Sequence, residues 1–287
     1  MRIVQNKIIS NSMLIMFLAT VRLNTIIVRQ PLCFGGGVPW ARILQKISVV
    51  CLLVVWSALV PHGILMVSLL LSKLVLTPPQ PISELSVGNI VKVKESGTDV
   101  DYIIVQQGNP DATIYDVSCD GTWLLRKDCL SNRQWDSNEM NKWQTSSIRT
   151  WLNNTFLNKL QIKDMITQSI IPYSQGDLSD VTYYLANGSS NKVFFLSGYE
   201  LGFTSSYNSG LMLDGAKLDY FNDNTSRATS GGFWTRSIEK SMGNKIFVID
   251  STGVLATRVS SNGDPLRPAF IIPSDTLIDS SGNIVLE

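Results

Sequence analysis

Residues Asn89–Gln106 read NIVKVKESGTDVDYIIVQ, and the fold turns on this stretch. Val91 and Val93 fall on one face and Lys92 and Lys94 on the other, the period of a half-buried strand. Ser96-Gly97 supplies turn residues, and Asp101–Gln106 returns, so the stretch predicts a β-hairpin. The same grammar recurs toward the C-terminus. Thr122–Leu130 (TWLLRKDCL) follows the Asp120-Gly121 turn, and Lys192–Ser197 (KVFFLS) reads as another strand. Lys245–Asp250 (KIFVID), Gly253 and Val254–Thr257 predict a further hairpin. Ala269–Ile272 is apolar on both faces, which places it centrally in a sheet. Pro268 and Pro273 bracket it, because neither can donate to a ladder. Thr145, Ser146 or Ser147 offers an N-cap to a helix carrying Ile148, Trp151, Leu152 and Phe156. Ile162, Met165 and Ile166 suggest a shorter second helix, ended before Pro172. The polar loops Tyr173–Asn191 and Tyr207–Gly232 are longer than packing requires, as loops that carry function often are. The expectation is an α+β domain over residues 84–280 with a tail at 281–287.

Toward the N-terminus the chemistry changes. Of the chain's 24 basic residues, seven lie in residues 1–83 with no Asp or Glu; the other 17 face 23 acidic residues, a net charge of −6. Charged residues make up only 16% of the chain, low for a soluble domain, and mean hydropathy is +0.12. Ile47–Ser72 (ISVVCLLVVWSALVPHGILMVSLLLS) holds 26 residues without a formal charge, beyond the roughly 20 that cross a bilayer as a helix. Pro61, His62 and Gly63 would kink or split such a helix. Six basic residues precede it, so the polar domain is expected on the exported side, membrane-anchored or virion-associated. A weaker signal-like run is Ile8–Val21. A buried hairpin of a soluble protein is the lesser alternative for the apolar run, and an over-extended gene start or translated non-coding stretch is a further reading of residues 1–77. Residues 1–77 otherwise lack caps, turn signals and acids, and Pro78, Pro79 and Pro81 make 78–83 a stiff linker.

Histidine and cysteine exclude several chemistries. The one histidine is His62, so from residue 84 onward Ser-His-Asp and Cys-His catalysis and imidazole zinc sites are ruled out. Cys119 and Cys129 are the only cysteines there, too few for a thiolate metal site. They straddle the Gly121 turn, and hairpin geometry in an exported domain would allow a disulfide. A net charge of +1 offers no general basic surface for nucleic acid. Asn109-Pro110-Asp111 imitates the amide–proline–carboxylate element of a calcium-dependent sugar site but lies near the domain's start, without the later Trp-Asn-Asp triplet. Asp219, Asn222, Asp223 and Asn224 could supply oxygen ligands but match no calcium-loop spacing, so no metal or cofactor is expected.

Several motifs then stand in one order: Tyr102–Val105, Thr122–Asp128 with Trp123, Asn132–Trp135, Ser147–Asn153 with Trp151, Phe194–Ser197, Glu200-Leu201-Gly202, Trp234-Thr235-Arg236-Ser237 and Leu266-Arg267-Pro268-Ala269-Phe270. In this order they resemble an uncharacterised domain family of gut Firmicutes and of prophage tail and surface proteins, over about residues 84–280. That family is similar to the C-type-lectin-like superfamily, whose closing strand pairs beside the N-terminal strand. The resemblance implies a C-type-lectin-like α+β fold; Leu266 before Arg267 is a minor departure. It also implies that Trp123, Trp151, Trp234, Arg236, Arg267, Pro268 and Phe270 hold the scaffold. In related receptor-binding domains the stretch between the last two motifs is the ligand surface. Here it carries Glu239, Lys240, Ser241, Asn244, Arg258, Ser260, Asn262 and Asp264, which read equally well as an ordinary solvated hairpin.

A second set is aromatic: Trp135, Trp143, Tyr183, Tyr184, Tyr207 and Tyr220 lie in polar surroundings. Aromatic faces stack on sugars and anchor protein partners. Packing beneath their own loop is the plainer role for Trp135 and Trp143. The expected function is a non-enzymatic ligand-binding module recognising a surface glycan or protein. The alternatives are a decoration domain of a phage tail and an enzyme of the formylglycine-generating type. The latter requires cysteines near the C-terminal strand, where residues 130–287 have none.

Overall fold

The structure, a computed structural model, describes residues 49–55, 68–74, 78–174, 188–206, 210–240 and 242–286. In chain order the elements are β1 (Val49–Val55), β2 (Ser68–Leu74), β3 (Gln80–Pro81), β4 (Ile90–Glu95), β5 (Thr98–Gln107), β6 (Thr122–Arg126) and β7 (Leu130–Gln134). The helix α1 (Ser147–Trp151) follows, then β8 (Ser169–Ile171), β9 (Ser189–Asn191), β10 (Val193–Phe194) and the helix α2 (Asn224–Arg227). Last come β11 (Phe233–Ile238), β12 (Lys245–Ile249), β13 (Leu255–Val259), β14 (Gly263–Leu266), β15 (Ala269–Ile272) and β16 (Leu277–Ile278).

The opening hairpin forms as β4 and β5, antiparallel from Ile90 opposite Ile103 to Glu95 opposite Thr98. It is one edge of a five-stranded sheet in the order β10-β15-β6-β5-β4. β15 is inside that sheet and buried throughout, the central place its apolar sequence requires. A second sheet, β11-β12-β13, is buried along all of β11. Three two-stranded ribbons, β14-β7, β16-β3 and β8-β9, close the described β-domain. Tyr115 and Phe194 meet the Trp123 ring edge-on at 5.5 Å each, and Tyr102 lies 5.0 Å from Phe270.

The fold class expected from the resemblance, an α+β C-type-lectin-like domain, is corrected here. The described residues are mainly β in several small sheets, with two α-helices of five and four residues. The closing strand β15 pairs with β6 and β10, while the N-terminal β3 pairs with β16. The expected helix does start where Ser146 caps it, its side chain accepting from Arg149 N–H. After Trp151 it passes into a π-turn and a 3-10 turn ending at Lys159, since Asn153, Asn154 and Thr155 favour other hydrogen bonds. The second expected helix is only turns. Gln161 N–H bonds Lys94 O and Thr167 N–H bonds Ile271 O, so the sheet captures both ends of the segment. Of Lys192–Ser197, only Val193–Phe194 is strand.

The transmembrane helix expected over 47–72 is corrected for its described parts. Val49–Val55 and Ser68–Leu74 are strands, paired antiparallel from Val49 opposite Leu74 to Val55 opposite Ser68. No helix among the described residues is long and apolar enough to cross a membrane. Short apolar runs suit strand or helix alike, and VVCLLVV is rich in β-branched valine. Pro61, His62, Gly63 and the run Ile8–Val21 lie outside the described residues.

Candidate functional site

The Trp234–Ser237 motif sits on β11, where the pairing with β12 slips between Trp234 and Ile238. That bulge turns Arg236 away from the ladder, and its backbone N–H bonds Leu196 O at 3.1 Å. The side chain is fully buried, and all five N–H groups are used. Nε donates to Pro172 O at 2.9 Å, and Nη1 to Phe195 O at 2.8 Å and Glu200 Oε2 at 2.5 Å. Nη2 donates to Glu200 Oε1 at 2.5 Å and Asp214 O at 3.0 Å. Burial opposes the charge, but the Glu200 carboxylate outweighs it and holds Arg236 above the ordinary arginine value. Glu200, also fully buried, accepts from Tyr115 Oη at 2.9 Å and Ser197 N–H at 2.8 Å. Asp214 Oδ2 accepts from Ser237 Oγ at 2.7 Å and Ser174 Oγ at 3.3 Å, while Oδ1 is buried without a partner. Burial pushes this carboxyl up to about 6, with Arg236 pulling it down. These groups tie four loops together and face one another.

The other scaffold residues are placed similarly. Trp123 and Trp234 are fully buried and donate to Cys119 O at 3.0 Å and Arg133 O at 2.9 Å. Arg267 is 3% exposed, donates to Arg126 O at 3.0 Å and lies 5.1 Å over Phe233. Pro268 O accepts from Arg126 N–H at 2.9 Å, and Phe270 is in the core. Trp151 is half-buried beneath Arg133, 4.5 Å from its ring.

The residues singled out between the motifs gather at one end of β11-β12-β13. Lys240, Asn244, Arg258 and Asn262 are exposed; Glu239 and Asp264 are half-buried. Ser260 is buried, its N–H donating to Asn244 O at 2.8 Å and its hydroxyl unpartnered. Asp264 stands opposite Arg133 in the β14-β7 ribbon, and burial raises its carboxyl pKa against the pull of Arg258. Tyr220 is half-buried elsewhere, bonded through its N–H to Val105 O of β5. Ser241, Tyr183, Tyr184 and Tyr207 lie outside the described residues. Trp135 and Trp143 are fully buried, 6.0 Å apart, so neither presents a face to a ligand.

Sequence reasoning missed Met140, Lys142 and Met242. Met140 is 44% and Met242 45% exposed, and Asn141 links them, donating from N–H to Gly243 O and from Nδ2 to Met242 O. A methionine set among Lys, Asn and Gly, as in SMGNK, is a signal of this kind: no apolar period accounts for it.

Cys119 and Cys129 are free, and β6 lies between them, so the hairpin pairing does not occur. Burial pushes the Cys119 thiol up to about 12 and raises that of Cys129, which suits inert thiols. No group of three or more metal-capable side chains occurs among the described residues. Asn109 holds its own turn, donating to Tyr115 O and Asp116 O, and Asp223 caps α2. The clefts among the described residues include one of about 530 Å³ beside Gln80, Ile90 and Asp279 and one of about 470 Å³ beside Met165, Asp275 and Leu286. Neither contains a motif residue.

These features define a mainly β domain braced by a buried arginine–glutamate pair, with Lys240, Asn244, Arg258 and Asn262 exposed toward one end of the β11-β12-β13 sheet. The chain belongs to the DUF6273 family, a domain of unknown function, whose profile matches residues 120–274. The matched stretch runs from the start of β6 past β15 and leaves the β4-β5 hairpin outside. No curated protein and no solved structure matches the chain.

Proposed function

We propose that the protein is a non-enzymatic ligand-binding module, an adhesion or receptor-binding domain displayed at a membrane or virion surface, recognising a surface glycan or protein. One contrast carries this reading. Arg236 and Tyr115 both bond the Glu200 carboxylate in the core, while Lys240, Asn244, Arg258 and Asn262 stand exposed at one end of the β11-β12-β13 sheet. Side chains of this kind serve recognition without moving the scaffold.

The test is Lys240→Ala, Asn244→Ala, Arg258→Ala and Asn262→Ala combined. The variant should melt close to the parent, since exposed substitutions usually stay within about 0.5 kcal/mol each. It should also lose binding to an array of bacterial surface glycans and proteins that the parent retains. Unchanged binding would move the site elsewhere, and a parent that binds nothing would leave the decoration-domain reading.

A further inference from the structure

The end of β11-β12-β13 is chemically unlike the rest of the domain. Three of the six exposed large apolar side chains among the described residues lie on segments bonded to the turn before β12. Met242 is in the turn itself, and Met140 is brought beside it by the two Asn141 hydrogen bonds. Leu213, 40% exposed, follows Leu211, which bridges to Glu239, and Lys240 N–H bonds Gly210 O. Of the charged side chains here, Lys142, Lys240 and Arg258 are exposed against Glu139 alone, while Lys245, Glu239 and Asp264 are half-buried and Asp136 is buried, accepting from Met140 N–H. The fully exposed charges around these apolar side chains are thus mostly basic, on a region of net charge −6.

Methionine is flexible and polarisable, and it recurs on surfaces that grip apolar side chains of a partner. A sugar ligand usually needs an exposed aromatic face, and every Trp, Tyr and Phe among the described residues is buried or half-buried. The lysines ask for acidic groups around the partner's apolar centre, because complementary charge steers encounter and suppresses wrong partners. Resting on the binding-module reading above, we propose that the Met140–Met242 face docks a protein whose contact surface presents apolar side chains within an acidic rim.

The experiment selects ligands for the full-length chain from a random peptide display library, with an array of neutral and anionic polysaccharides in parallel. Peptides combining Asp or Glu with Leu, Phe or Trp are expected. Their binding should fall about tenfold or more in Met140→Ser/Met242→Ser and again in Lys142→Glu/Lys240→Glu, and should weaken with added salt. Both variants should melt with the parent, since all four side chains are exposed. Failure to select peptides, or peptides indifferent to both variants, overturns the inference. Polysaccharide binding lost in the lysine variant and kept in the methionine variant overturns the protein partner but leaves the binding module standing. Self-association of the parent that the methionine variant abolishes assigns the face to a second copy and likewise overturns it. Ligands of either kind bound equally by parent and variants overturn the module's placement as well.

Discussion

At the scale of single residues, Arg236 shows what sequence can and cannot reveal. Its motif marks it as a scaffold residue, yet its partners lie between 22 and 64 positions away in loops whose paths no local pattern encodes. The pair itself makes a sharp prediction. Arg236→Met leaves the Glu200 carboxylate buried and uncompensated, which should cost about 3–5 kcal/mol in urea unfolding, whereas Arg236→Met with Glu200→Gln should cost markedly less. Equal losses would mean that the desolvated charge is not the source. Asp214 gives a pH prediction. Its native pKa of about 6 exceeds the ordinary 3.8, so the native state holds the proton more tightly and is favoured at low pH. That contribution is complete below the ordinary value and lost as pH rises through about 6, with Arg236, Glu200 and Tyr115 as the neighbouring ionisable groups. Asp214→Asn, neutral throughout, should therefore gain on the parent by up to about 3 kcal/mol between pH 4 and pH 7. A difference independent of pH in urea midpoints would show that Asp214 does not titrate in that range.

At the scale of elements, legibility followed locality. The β4-β5 and β12-β13 hairpins form because alternation and turn residues sit within one short stretch, and Ser146 caps α1 for the same reason. The Ile162–Ile166 helix did not form, since backbone bonds to distant Lys94 and Ile271 compete with it and nothing local announces them. The turn between β12 and β13 shows how tightly such elements are held from outside. Gly253 has φ +84°, and a Cβ there would stand 2.0 Å from Asn224 O, while its own carbonyl accepts from Arg227 Nε at 3.1 Å. Gly253→Ala should therefore cost more than about 1 kcal/mol in chemical denaturation, unlike an ordinary exposed turn. A variant as stable as the parent would show that α2 moves aside without loss. The proposed binding end was half legible by the same logic: polar residues of the hairpin could be read in order, but Asn141, next to Met140, bonds Met242 O from about a hundred residues earlier in the chain.

At the scale of the whole molecule, ordered motifs proved a better guide to family than to architecture. Side chains that brace loops, such as Arg236 and Arg267, fix where segments meet and say little about how many residues between them are helical. The N-terminal edge of the domain follows from similar long-range contacts. Pro78, Pro79 and Pro81 have the composition of a linker, but Gln80–Pro81 is β3, paired with β16. Ile82 beside it is fully buried, its N–H donating to Thr276 O at 2.8 Å and its carbonyl accepting from Gln107 Nε2 at 3.0 Å. A chain beginning at Pro78 keeps these contacts, whereas one beginning at Glu84 removes β3 and Ile82 together. Burying one Ile side chain is worth about 1.5–3 kcal/mol, and Gln107 Nε2, left with Leu85 O alone of its two acceptors, adds to the loss. The shorter chain should unfold at a clearly lower urea midpoint. It should also open the ribbon first, so that amide exchange at Ile278, opposite Gln80, rises more than at Ile271 inside the five-stranded sheet. Equal midpoints and equal exchange in the two chains would place the start of the folded domain after Ser83 and make β3 an appendage.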